Sequence, residues 1–256
     1  MDPRHARREQ GGIGVNAIWA WLTDPLNWSG YAGIPVRIGE HLTYTAIAVL
    51  IAAVIALPLG LYVGHTGRGS FVVVGVVNSF RALPELGLLI LLVLVMGVAL
   101  ALQAVTIALV ALAIPPLLAG TYSGVRNVDP EVVDAARGMG MSELKIALTV
   151  ELPIALPLII GGLRAATLQV IATATIAAYV TLGGLGRFIL DGLAFHDYAS
   201  MAGGAVLIAA LAIVVEAILT VVQRLAVSPG LRTARTRRRA TRASSEPVAE
   251  AAGAQA

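Results

Sequence analysis

The chain has no cysteine and a single lysine among its 256 residues, and only 13% of it is charged. Without cysteine there are no disulfides and no thiolate nucleophile or thiolate metal site. The lone lysine, Lys145, is followed by Ile146 where a phosphate-binding loop needs Ser or Thr, so no Walker-type nucleotide loop exists here. The four histidines (His5, His41, His65, His196) are scattered and form no His-Glu-x-x-His pair, which argues against a zinc hydrolase. No serine sits in a nucleophile elbow. Gly183-Gly184-Leu185-Gly186 looks like a fragment of a dinucleotide loop, but no βαβ unit surrounds it and it reads as a turn. Aromatics make up 5% of the chain, so no aromatic cage for a cation is legible. The chain therefore reads as a non-enzyme, with no metal or nucleotide of its own.

What it does have is apolar sequence, 57% by composition. A soluble domain carries about a quarter of its residues as charges and has no means of hiding this much apolar surface. The expectation is an all-α membrane protein of about five spans, since a crossing takes roughly 20 apolar residues. The spans read as 41–63, 70–97, 103–122, 154–180 and 200–222. Pro58 sits in the first. The second reads as one helix bent near Pro84, the alternative being a separate interfacial helix before that proline. Pro115-Pro116 reads as a break near the end of the third. Residues 1–38 read as an N-terminal segment with an interfacial helix anchored by Trp19 and Trp21.

Near the C-terminus, Arg232, Arg235, Arg237, Arg238, Arg239 and Arg242 lie close together. A nucleic-acid patch is one reading; the flank of a last span, held in the cytoplasm, is the commoner one. Residues 226–256 thus read as a basic and then disordered tail. Residues 126–153 hold Arg126, Asp129, Glu131, Asp134, Arg137, Glu143, Lys145 and Glu151, too many charges for lipid. Loop and tail both belong on the cytoplasmic side, with two spans between them. Five spans then put the N-terminus outside, against Arg4, Arg7, Arg8 and Arg37. Four charged residues fall in or beside spans: Arg81, Glu85, Arg164 and Glu216. Buried charges are costly there, so these are candidates for pore lining or pairing, with snorkelling to the interface the alternative for Arg164 and Glu216.

Within the charged loop, Asp129 is placed to cap a helix, Pro130 suits its first turn and Glu131 favours its positive end. Gly138 or Gly140 stops it, and Ser142 is placed to cap a second helix towards Leu152-Pro153. The result is a short helix with an alanine face, suited to a groove on a partner.

This loop resembles the signature of ABC importer permeases: Glu-Ala-Ala, three residues, Gly, nine residues, Ile-x-Leu-Pro. Here it is Asp134-Ala135-Ala136, three residues, Gly140, nine residues, Val150-Glu151-Leu152-Pro153. The departures are Asp for Glu and Val for Ile. The resemblance covers about 39–230 and is closest to the osmoprotectant branch, through Gly39-Glu40-His41-Leu42, Ala82-Leu83-Pro84, Thr121-Tyr122-Ser123-Gly124-Val125, Gly183-Gly184-Leu185-Gly186 and Gly203-Gly204-Ala205. It implies a type I importer permease domain over 39–225 in the cell membrane. A second permease chain would complete the pore, a separate ATPase subunit would hold the ATP and Mg, and an extracytoplasmic binding protein would deliver glycine betaine, choline, carnitine or a proline-type osmoprotectant. It further implies ATPase coupling at Glu131, Asp134, Ala135, Ala136 and Gly140, linked to the fourth span by Glu151, Leu152 and Pro153. Ala135 and Ala136 would permit close approach. An amino-acid or methionine substrate is the alternative within this mechanism. An ion-coupled secondary transporter is the alternative outside it, and would predict inverted repeats.

Overall fold

Apolar runs without charge must satisfy their backbone amides internally, and this chain does so with helices. The computed structural model describes residues 14–81 and 84–226. In chain order these form α1 (Val15–Thr23), α2 (Ile34–Thr66), α3 (Ser70–Arg81), α4 (Glu85–Met96), α5 (Ala101–Arg126), α6 (Pro130–Gly138), α7 (Glu143–Ile146), α8 (Leu152–Thr173), α9 (Gly186–Phe195) and α10 (Tyr198–Ala226). Arg4, Arg7, Arg8, Ala82-Leu83 and the arginine-rich tail lie outside the described residues, as does the side chain of Arg81.

Three single helices, α2, α5 and α10, are long and apolar enough to cross a membrane, and so is the continuous helix Glu143–Val180 that contains α7 and α8. The expected helix over 70–97, bent near Pro84, is two twelve-residue helices, α3 and α4, set at 91° on either side of that proline. Each is about 18 Å long, short of a roughly 30 Å hydrocarbon core, so the described helices give four crossings, and five where the bent pair counts as one broken span. Pro84, which lacks an amide hydrogen and disfavours helix in the residue before it, sits at the N-cap of α4. The expected break at Pro115-Pro116 is absent: α5 runs unbroken through both, with Pro115 buried against its neighbours. In lipid, an adjacent helix supports a proline that would open a helix in water.

The core is α2, α5 and α8. Along α2, Ala48, Ala52 and Ala56 recur every four residues and are fully buried; Val105, Ala108 and Leu109 of α5 and Ala166 and Val170 of α8 share their cluster. Glycines set the helix separations. A Cβ on Gly60 would lie 2.6 Å from the Thr121 Cβ, and one on Gly64 2.7 Å from the Val125 Cβ. Where α5 crosses α8, a Cβ on Gly120 would meet the Gly162 Cα at 2.8 Å, so the two backbones touch there. Buried hydroxyls are satisfied locally: Thr45, Thr121 and Thr167 each donate to the carbonyl four residues back.

At the end of the bundle away from the 127–151 loop, α1 lies against α9 and the start of α10. Trp21 meets Phe188 edge-on, with ring centroids 5.1 Å apart, and its indole covers Gly203, where any side chain would collide with it. Nine residues make α1 too short to cross, in keeping with an interfacial helix. The turn after the fourth span passes beside α2, where the Gly184 amide donates to Glu40 at 2.7 Å. Gly184 has φ +89°, a conformation open to glycine, and Gly183 packs directly on the same carboxylate.

Candidate functional site

The loop between α5 and α8 is built from the start of α6 onward. Asp129 accepts from the Glu131 amide at 3.1 Å, Pro130 occupies the first turn and Glu131 adds its charge to the N-terminus. The helix ends in a Schellman motif: the Gly140 amide donates to the Arg137 carbonyl at 2.9 Å and the Met141 amide to the Ala136 carbonyl at 3.3 Å. Of the two candidate stop residues it is Gly140 that adopts the left-handed conformation, at φ +78°. Ser142 stands at the N-cap of α7 without the side-chain bond expected of it.

One face of α6 is turned inward. Val133 and Ala136 are buried against Val128 and Ile146, with Met141, Val150 and Ile154 around them. The small side chain of Ala136 thus packs within the loop itself. The outward face carries Val132, Ala135 and Met139 at i, i+3 and i+7, one apolar stripe, and Leu144 stands exposed past the turn. Sequence reasoning named only Ala135 of this stripe. Asp134 is exposed and accepts from Arg137 at 3.0 Å. Arg137 also grips Glu143 with Nε and Nη2, at 2.7 and 3.0 Å. That pairing holds the Glu143 carboxyl below its usual range and raises the guanidinium.

Between α7 and α8 the chain makes a π turn, Ala147–Glu151, directly before Leu152-Pro153. Pro153 would clash with the carbonyl of Thr149 in a regular helix, and the wider turn accommodates it. The turn also directs Glu151 inward, where its carboxylate lies 2.6 Å from Nδ1 of His65 in the last turn of α2. The other ring nitrogen of His65 is 3.1 Å from Glu143. Sequence reasoning missed His65 because 86 residues separate it from Glu151 and no spacing rule links them.

The charged residues in the spans do not converge on one centre. Arg164 of α8 pairs with Glu216 of α10 through both Nε and Nη2, and its Nη1 donates to Gln223, whose amide reaches the Pro157 carbonyl at 3.0 Å. Pairing, not solitary snorkelling, is what the geometry shows, and it fastens the otherwise loosely held α10 to the core. Glu85, nine residues of α8 further along, accepts from the Thr173 hydroxyl at 3.2 Å. Replacing Glu216 by Ala strands a part-buried guanidinium and is expected to cost about 2 kcal/mol or more, with the double replacement Arg164→Met/Glu216→Leu costing less than the single one. Thermal unfolding in detergent checks the order.

Residues 56–233 match the family described as binding-protein-dependent transport system inner membrane component. The chain belongs to this family. The choline transport system permease protein OpuBB of Bacillus subtilis is 35% identical over 72% of this chain and 84% of its own length. The glycine betaine/carnitine/choline transport system permease protein OpuCB of the same organism is 34% identical over 76% and 89%. The osmoprotectant import permease protein OsmW of Salmonella typhimurium is 31% identical over 75% and 91%. Among solved structures, an inward-facing MetNI methionine ABC transporter chain superposes with a TM-score of 0.68 at 22% identity, over 80% of this chain and 100% of that one, which speaks to the fold. The chain is thus an ABC importer permease and a multi-pass membrane protein.

Proposed function

We propose that this permease forms half of a pore that imports small quaternary-amine osmoprotectants, with a second permease chain as the other half. A separate ATPase subunit docks on α6 and holds the ATP and Mg. An extracytoplasmic binding protein delivers the substrate and makes the high-affinity selection. The observation that carries the docking is the stripe of Val132, Ala135 and Met139, apolar and exposed on a helix whose opposite face is already packed. Relatives named for choline, carnitine and glycine betaine support the substrate class. The loop faces the cytoplasm, and α1, at the opposite end of the bundle, lies outside.

Energy enters at α6. Closure of the ATPase dimer moves the helix, and alternating access follows by rigid-body displacement of α2, α5 and α8, whose glycine-lined contacts hold them together. The chain is expected to co-purify with its ATPase subunit. Proteoliposomes holding the full complex and binding protein are expected to take up labelled glycine betaine, choline or carnitine, with no competition from methionine or histidine. Uptake of methionine in preference to all three would overturn the substrate class. A wild-type chain that never retains the ATPase would overturn the docking.

A further inference from the structure

The loop is continuous in sequence with α5 and α8, so motion at α6 reaches those two helices along the backbone. α2 has no backbone link to it and follows α5 and α8 through side-chain packing. Its side-chain hold on the loop itself is His65, in its last turn, between two carboxylates: Glu151 at 2.6 Å from Nδ1 and Glu143 at 3.1 Å from Nε2. Both ring nitrogens thus face a carboxylate oxygen at hydrogen-bond distance, and a carboxylate oxygen accepts from whichever ring N–H meets it. The Glu151 side chain is 6% exposed, and a carboxyl group that deeply placed is costly without a hydrogen-bond partner. From Glu143 the contacts continue through Arg137 to Asp134 on the outer turn of α6. Gly64, Val125 and Arg126 line the same recess, so the joint lies where α2, α5 and α6 meet.

We infer that His65 is a positioning residue for energy coupling: it ties the end of α2 to the loop itself, because separating them strands the buried Glu151 carboxyl without its hydrogen-bond partner. This rests on the reading of α6 as the ATPase-docking helix.

The test uses the assembled complex of permease, ATPase and binding protein in proteoliposomes, with glycine betaine as the transported probe. It takes three readouts: ATPase retained on purification, substrate moved per ATP hydrolysed, and a distance. The natural absence of cysteine lets spin labels be placed by Arg68→Cys and Lys145→Cys alone, both exposed positions on the two sides of the joint. His65→Ala is expected to retain the ATPase, to lower substrate moved per ATP at least about fivefold, and to broaden the label distance in the ATP-bound state. His65→Arg, which offers N–H donors to both carboxylates, is expected to restore the ratio; His65→Met, which keeps bulk without a donor, is not. Should His65→Ala fail to accumulate, Glu143→Gln, at an exposed position, is expected to shift ratio and distance the same way by less. A normal ratio with an unbroadened distance in His65→Met or Glu143→Gln overturns the inference alone. Absence of ATPase from the wild-type complex overturns the docking reading and the inference with it.

Discussion

Leucine at Gly120 or Gly162 is expected to leave little or no folded permease in the membrane. The contact between α5 and α8 at this point is backbone against backbone. A Cβ on Gly120 would lie 2.8 Å from the Gly162 Cα and 2.9 Å from the Leu158 carbonyl oxygen, and one on Gly162 would lie 2.8 Å from the Pro116 carbonyl oxygen. None of these atoms is the free end of a side chain that can swing aside. Ordinary overpacking costs about 1–3 kcal/mol because neighbours relax. Here the helices themselves must part, which breaks the buried rows of Leu117, Ala166 and Val170 with them, and about 4 kcal/mol or more is expected. Against a total stability of roughly 5–15 kcal/mol, that removes most of the folded population. The neighbouring Gly161 has open space where its Cβ would go, so Gly161→Ala is expected to be neutral within about 0.5 kcal/mol. Monodisperse yield in detergent separates the cases, and normal yield of Gly162→Leu would contradict the close crossing.

The spans were legible because lipid allows so few alternatives. A charge-free run of 41–63 has to be a helix, and structure only lengthened it, to Ile34–Thr66. The turns of helix that extend it carry Arg37, Glu40 and His65, polar residues whose partners, the Arg37–Glu40 pair at 3.0 Å and the His65 contacts, lie beyond the run itself. Local rules also served the loop well: Asp129, Pro130 and Gly140 do what their chemistry requires within a few residues of themselves. Ser142 shows the limit of such rules, since an extended N-cap residue need not turn its hydroxyl to the helix.

Proline was the least readable residue. Pro84 separates two helices nearly at right angles, Pro115-Pro116 disturbs nothing, and Pro153 sits beside a π turn. Each outcome depends on which neighbour supports the carbonyl the ring displaces, and that neighbour is not in the local sequence. The same holds for pairing across the fold. Arg164 and Glu216 are 52 residues apart, and each alone looks like a charge escaping to the interface. Which alanine of the Asp-Ala-Ala motif faces out was likewise undecided in the sequence, because a nine-residue helix with apolar residues at 132, 133, 135 and 136, and another at its C-cap, has two apolar sides.

Those two adjacent alanines give the largest functional contrast. Ala135→Glu is expected to leave the permease folded, within about 0.5 kcal/mol of wild type, because the side chain enters solvent on the exposed stripe. In the assembled importer the same carboxylate would be desolvated between Val132 and Met139 and the ATPase, costing about 3 kcal/mol, or roughly a hundredfold in docking affinity. Uptake should fall with it. Ala136→Glu differs by one position and by mechanism. Ala136 is 2% exposed, packed on Val128 and Ile146, so the glutamate must either bury an unpaired charge or push α6 off the loop. Docking and thermal stability should then fall together. Retention of the ATPase through purification, read beside the melting temperature of the permease alone, distinguishes them. An Ala135→Glu chain that holds its ATPase normally would move the docking surface off this face. If both variants melt early, Ala135 contributes to the inner packing and the outward stripe is narrower than its exposure indicates.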